Sequence, residues 1–123
     1  MTATTEIIIV TGSRTFTDWD ALCDALDKHD PSEVWSGGAR GADTFARRWA
    51  LLNHRRYREF LPDWATLGKR AGMIRNAEMM SRAPATAIVL AFPRGPLGSS
   101  AGTCQAVECA RREGLKVKVL NQW

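Results

Sequence analysis

Three glycine-rich segments carry the residue types that grip anions. They are Thr11-Gly12-Ser13-Arg14, the run Ser36-Gly37-Gly38-Ala39-Arg40-Gly41-Ala42-Asp43, and residues 95–103, which end in Gly102-Thr103. Glycine admits positive φ and lets an anion reach the backbone N–H groups with no Cβ in the way. Ser13, Ser36 and Thr103 add hydroxyls for phosphate or ribose, and Arg14 and Arg40 offer the planar fork that pairs bidentately with phosphate. Any one such turn is also what a plain connection looks like. Three at one end of a sheet point to an anion pocket. None is a Walker A loop or a G-x-G-x-x-G of the dinucleotide type.

A fourth segment, from Pro62-Asp63-Trp64 to Arg75-Asn76, brings Lys69, Arg70 and Arg75 close together. Helical spacing places Lys69, Gly72 and Asn76 on one face and assigns Met73 and Met80 to a core-like face. The alternative is a solvated basic helix. Trp64 either stacks on a base or packs against its neighbours. Cys104 falls in the first turn of a predicted helix, where a thiolate is favoured, yet no histidine is placed as its base and a small buried residue serves equally well there. Cys23, Cys104 and Cys109 form no C-x-x-C, and His29 and His54 are the only histidines. No metal site is expected, and the thiols read as reduced in a cytoplasmic compartment.

The elements that must position these residues follow from periodicity and punctuation. Residues 6–10 form a β-branched run suited to a strand buried on both faces. Residues 19–29 have helical spacing behind an Asp18 N-cap. A short strand over 33–36 leads into a helix capped by Asp43 and running to about Asn53. Strand 55–61 is closed by Pro62, and residues 68–83 read as a long turn and helix ended by Pro84. Strand 86–92, helix 103–113 with Gly114 as its C-cap, and strand 115–120 complete the chain. Strict β-α alternation predicts one α/β domain of Rossmann-like type, a mainly parallel five-stranded sheet with helices on both faces. Ligands in such folds sit beyond the carboxyl ends of the strands.

The length of 123 residues fits a single domain over the whole chain, with Met1–Thr5 as a flexible lead-in. A net charge of +4 favours anionic partners or serves surface solubility. The run Ile7–Val10 is too short to cross a membrane, so no membrane association is expected. The pairs Arg47-Arg48, Arg55-Arg56 and Arg111-Arg112 would suit nucleic acid only if they shared a surface with stacking aromatics. They lie on separate predicted elements.

Taken together, Thr-Gly-Ser-Arg after the first strand, Ser-Gly-Gly-Ala-Arg-Gly-Ala-Asp after the second, and the stretch from Pro62-Asp63-Trp64 through Gly68-Lys69, Ala71-Gly72 and Arg75-Asn76 closely resemble the SLOG superfamily. The match is to its small YspA/YpsA-related branch of bacteria and phages, and it covers nearly the whole chain. The resemblance implies a Rossmann-like protein whose ligand is a nucleotide or nucleotide derivative, ADP-ribose-like or another phosphorylated nucleoside. That ligand would be held by Gly12, Ser13, Arg14, Ser36, Gly37, Gly38, Arg40, Gly41, Ala42, Asp43, Lys69, Arg75, Asn76, Gly102 and Thr103, with Trp64 beside them. It also makes homo-oligomers an expectation. The superfamily includes LOG-type phosphoribohydrolases, whose helix carries a catalytic glutamate, and here Ala106 stands at that position. Glu108 lies two residues on, towards another side of the helix, and Glu78 or Asp43 are the carboxylates that could replace it. The balance therefore moves from hydrolysis of an N-glycosidic or phosphate bond towards binding, as sensing or sequestration. Single-stranded DNA binding, as in the related DprA, is the further alternative.

Overall fold

The computed structural model describes residues 6–95 and 101–120; the expectations for Met1–Thr5, and those for the third glycine segment that fall on residues 96–100, lie outside the described residues. Five strands, β1 (Ile7–Gly12), β2 (Glu33–Ser36), β3 (Arg56–Glu59), β4 (Ile88–Phe92) and β5 (Lys116–Val119), form one sheet in the order β3-β2-β1-β4-β5. Every pairing is parallel, with Val10 opposite both Ser36 and Leu90. Five helices connect them: α1 (Trp19–His29), α2 (Ala42–Leu52), α3 (Trp64–Leu67), α4 (Ala71–Arg82) and α5 (Ala101–Arg112).

The two-residue alternation of β1 divides the core. Ile8 and Val10 face α1 and α2, in a cluster with Leu22, Leu26, Trp49 and Phe92. Ile9 faces α4 and α5, in a cluster with Trp35, Met79, Met80 and Ala106. Ile8, Ile9 and Val10 are completely buried, each worth about 2 kcal/mol, which makes β1 the central strand of the order. The edges carry the opposite chemistry. Arg56 and Arg58 on β3 and Lys116 and Lys118 on β5 are exposed.

Local signals explain most element ends. Asp18 caps α1 by accepting from Ala21 N at 3.0 Å. Gly114, at φ +78, follows α5, and its N–H donates to the Arg111 carbonyl. Three expectations change. The N-cap of α2 is Gly41 at φ +80, while Asp43 lies within the first turn and sends its carboxylate back into the preceding loop. Ahead of the turn predicted from residue 68 the chain forms an additional helix, α3, capped by Asp63 accepting from Thr66 N at 3.2 Å, and the turn itself is a 3₁₀ turn over Gly68–Arg70. Lys69 thus precedes α4. Met73 is 57% exposed while Met80 is buried, because the first turn of α4 overhangs a cleft and only its later turns lie on the sheet.

Candidate functional site

Chain connection reverses direction across the sheet at β1: β2 lies on one side of it and β4 on the other. A crevice opens at such a switch point, outside the carboxyl ends of the strands. Here it is a cleft of about 520 Å³. Thr11–Arg14 form its floor and one wall, Gly37, Ala39 and Asp43 a second wall. Trp64, Lys69, Gly72, Met73, Arg75 and Asn76 overhang it, and Gly102, Thr103 and Gln105 of α5 close it.

The first two glycine loops are pressed together. A Cβ on Gly12 would stand 2.5 Å from the Ala42 Cβ, and one on Gly41 would stand 2.2 Å from the Ser13 carbonyl oxygen. These glycines let the α2 N-terminus seat against the end of β1. The Ser13 carbonyl accepts from Phe16 N and Ala42 N, and the Ser13 N–H donates to the Phe92 carbonyl. The Ser13 hydroxyl is engaged with Thr15.

Asp43 organises the second loop. Only 5% exposed, it accepts from Gly37 N and Ala39 N through Oδ2, both at 3.2 Å. Its Oδ1 is buried and receives no hydrogen bond among the described residues. Burial pushes the carboxyl up to about 6 from 3.8, against the pull of the Ala39 N–H, the Arg75 guanidinium and the Gly37 N–H. Five of the amides expected to cradle an anion are engaged within the protein: Gly37 and Ala39 with Asp43, Gly38 with the Ser36 hydroxyl, Ser13 with Phe92 and Ala42 with Ser13.

Arg75 packs against Gly37. Its Nη1 donates to the carbonyls of Gly37 and Phe60, and its Nε donates to Asn76 Oδ1 at 2.7 Å. A Cβ on Gly37 would meet Nη1 at 2.2 Å, which is why glycine stands there. Burial lowers the guanidinium below its ordinary value; Asp43 opposes this and nearby Arg14 adds to it. Asn76, buried, passes the chain of bonds to α5 through Nδ2 donating to Gln105 Oε1 at 2.8 Å. Arg14 and Lys69 line the cleft exposed, and neither forms an ion pair among the described residues. Trp64 is half exposed over Gly72.

Of the residues singled out in the sequence, the cleft wall brings together Gly12, Ser13, Arg14, Gly37, Asp43, Trp64, Lys69, Arg75, Asn76, Gly102 and Thr103. Gly38 and Arg40 line an adjoining hollow. Ser36, Gly41 and Ala42 stand behind the wall. The Ser36 hydroxyl is fully buried, donating to the Tyr57 hydroxyl and lying 3.4 Å from the Asp43 carbonyl. Tyr57 in turn donates to Glu59 at 2.8 Å. Tyr57 and Gln105 support the site without any motif to announce them, because each meets its partner across separate elements.

The other carboxylates point elsewhere. Glu78 pairs with Arg82 at 2.9 Å on an exposed face, and Glu108 is exposed beside Cys104. Ala106 is fully buried in the core with Ile9 and Met79. Among the described residues, Asp43 is the one carboxylate lining the cleft, and no group of three His, Cys, Asp or Glu could hold a metal ion. The basic pairs disperse. Arg48 lies over Trp19 and Phe45, Arg55 pairs with Asp30, and Arg111 and Arg112 close α5. Among the described residues no helix is long and apolar enough to cross a membrane.

Comparison with known proteins agrees with this picture. The family described as YspA, cpYpsA-related SLOG matches residues 6–66, which include both pressed loops and Asp43. The Gene 61 protein of Mycobacterium phage D29 is 41% identical over 120 residues, covering 89% of this chain and 92% of that one. No solved structure matches at a significant level.

Proposed function

The chain belongs to the YspA, cpYpsA-related SLOG family, and from that premise we propose that its cleft binds a phosphorylated nucleoside, a nucleotide or nucleotide derivative. One observation carries the reading. Three cations, Arg14, Lys69 and Arg75, line the cleft at the switch point together with a buried carboxylate oxygen that has no donor among the described residues. Phosphate answers the cations. A sugar hydroxyl answers Asp43 Oδ1, and the exposed face of Trp64 offers a platform for a base. The chain works as a sensor or store of that ligand.

Calorimetric titration of the full chain with adenosine, ribose 5-phosphate, AMP and ADP tests this. The expected order has AMP and ADP binding, ribose 5-phosphate weaker and adenosine undetectable. Removing either exposed cation, by Arg14→Ala or Lys69→Ala, lowers AMP affinity about fivefold. Equal affinity for adenosine and AMP, or no binding of any phosphorylated compound, refutes the reading. Hydrolysis is the second reading, favoured by Asp43 alone. Its carboxyl sits in the cleft with a proton affinity suited to acid–base work near neutrality. Release of base or inorganic phosphate from the bound nucleotide, abolished by Asp43→Asn, would establish it; tight binding without product excludes it.

A further inference from the structure

The cleft does not end at Arg14, Trp64 and Arg75. The same three residues also line a second hollow of about 360 Å³, whose outer wall is Arg40, Leu61 and Pro62. The two spaces are lobes of one depression, divided by two guanidinium groups and an indole. Each lobe alone falls in the size range of a ligand pocket.

The outer lobe has its own chemistry. Leu61 is 67% exposed and Trp64 50% exposed, side by side with Pro62 where the chain leaves β3. Neither side chain belongs to either core cluster. Arg40 is exposed there and makes no hydrogen bond or ion pair among the described residues. An apolar floor under a free guanidinium suits the flat face of a base or sugar. At the divide, the Arg75 Nη2 makes no hydrogen bond among the described residues, while Nε and Nη1 are both committed. Arg14 is exposed beside it. Two cations at the waist of a two-lobed site mark the place of a bridging phosphate.

We propose that the two lobes together take a ligand of two nucleoside units joined through phosphate, with the bridge at Arg14 and Arg75 and the second unit in the lobe of Arg40, Leu61 and Pro62. This rests on the nucleotide-binding reading of the inner lobe and assigns the partner that the outer lobe fits.

The test is calorimetric titration of the full chain with AMP, with a pyrophosphate-bridged dinucleotide (diadenosine diphosphate) and with a 3′,5′-bridged one (ApA). At least one dinucleotide binds about tenfold more tightly than AMP, since its second unit is delivered to the outer lobe by the first. Which bridge gains the affinity identifies the linkage. Arg40→Ala and Leu61→Ser, both at exposed positions outside the cores, reduce that dinucleotide to the affinity of AMP and leave AMP unchanged. AMP binding with no gain for either dinucleotide overturns the two-lobe assignment and leaves the inner site standing. Equal weakening of AMP and dinucleotide by Arg40→Ala also overturns it. Absence of binding by AMP and both dinucleotides overturns the nucleotide reading itself.

Discussion

Replacing Gly37 by alanine should injure the site more than the fold, and the structure says by how much. The three heavy atoms nearest a Cβ at this position are Nη1, Cζ and Nε of Arg75, at 2.2, 2.5 and 3.0 Å. All belong to the far end of a flexible side chain, so the guanidinium can swing away while the backbone stays. Leaving costs Arg75 its hydrogen bonds to the Gly37 and Phe60 carbonyls and to Asn76. A hydrogen bond from a charged donor contributes about 1.5–3 kcal/mol. The guanidinium is only partly buried and regains water on leaving, so the net loss is about 2–3 kcal/mol rather than the sum. Urea denaturation of the parent, Gly37→Ala, Arg75→Ala and the double variant measures this as a thermodynamic cycle. With Arg75 truncated, Gly37→Ala should cost less than about 0.5 kcal/mol, or slightly stabilise by restricting the unfolded chain. Nucleotide affinity should fall in all three variants to a similar level. A Gly37→Ala cost that is the same with and without Arg75 refutes the reasoning, since the clash would then lie with the backbone.

Other outcomes follow from the same geometry. Native Asp43 keeps its proton to about pH 6 and the unfolded chain releases it near 3.8, so the native state binds the extra proton between those values. Its contribution to stability is full below about pH 4 and is lost as pH rises through 6, at most about 3 kcal/mol; Asp43→Asn removes that slope in denaturation curves taken from pH 4 to 7, and parallel slopes would contradict the burial. Tyr57→Phe breaks the bridge between Ser36 and Glu59 and should cost about 1 kcal/mol, read as a fall of roughly 3–5 °C in Tm. Ala106→Glu forces a carboxylate into a fully buried position of the α4–α5 core and should cost about 3–5 kcal/mol without creating a hydrolase; a folded, active variant would show that the helix can turn this position to the cleft.

The parts of the fold written in local chemistry were the legible ones. Ile7–Val10 could only be a doubly buried strand, and Asp18 and Gly114 mark their helix ends because a cap needs nothing beyond its own turn. Asp43 shows where that reading stops. A carboxylate at the start of a helix can serve the helix amides or the loop amides, and it is the approach of the Gly37–Ala39 turn, a tertiary event, that claims it. The same choice takes the Gly37 and Ala39 amides out of the expected anion cradle. Met73 and Met80 have the spacing of one face, yet the end of the sheet falls between them and leaves the first over the cleft. Asn76 and Gln105 stand 29 residues apart and meet only because α4 and α5 share a face of the sheet. The glycine motifs marked the place of the cleft, and the contacts among them had to be seen to learn that Gly12 and Gly41 also let β1 and α2 pack closely.

The two edges of the sheet have a bearing on self-association. Each ends in a short strand with two exposed cations, Arg56 and Arg58 on one side and Lys116 and Lys118 on the other. A second copy continuing the sheet from either edge would bring like charges together along the new seam, and short charged edges are a device against that kind of growth. Copies of this chain are thereby steered away from strand-to-strand addition.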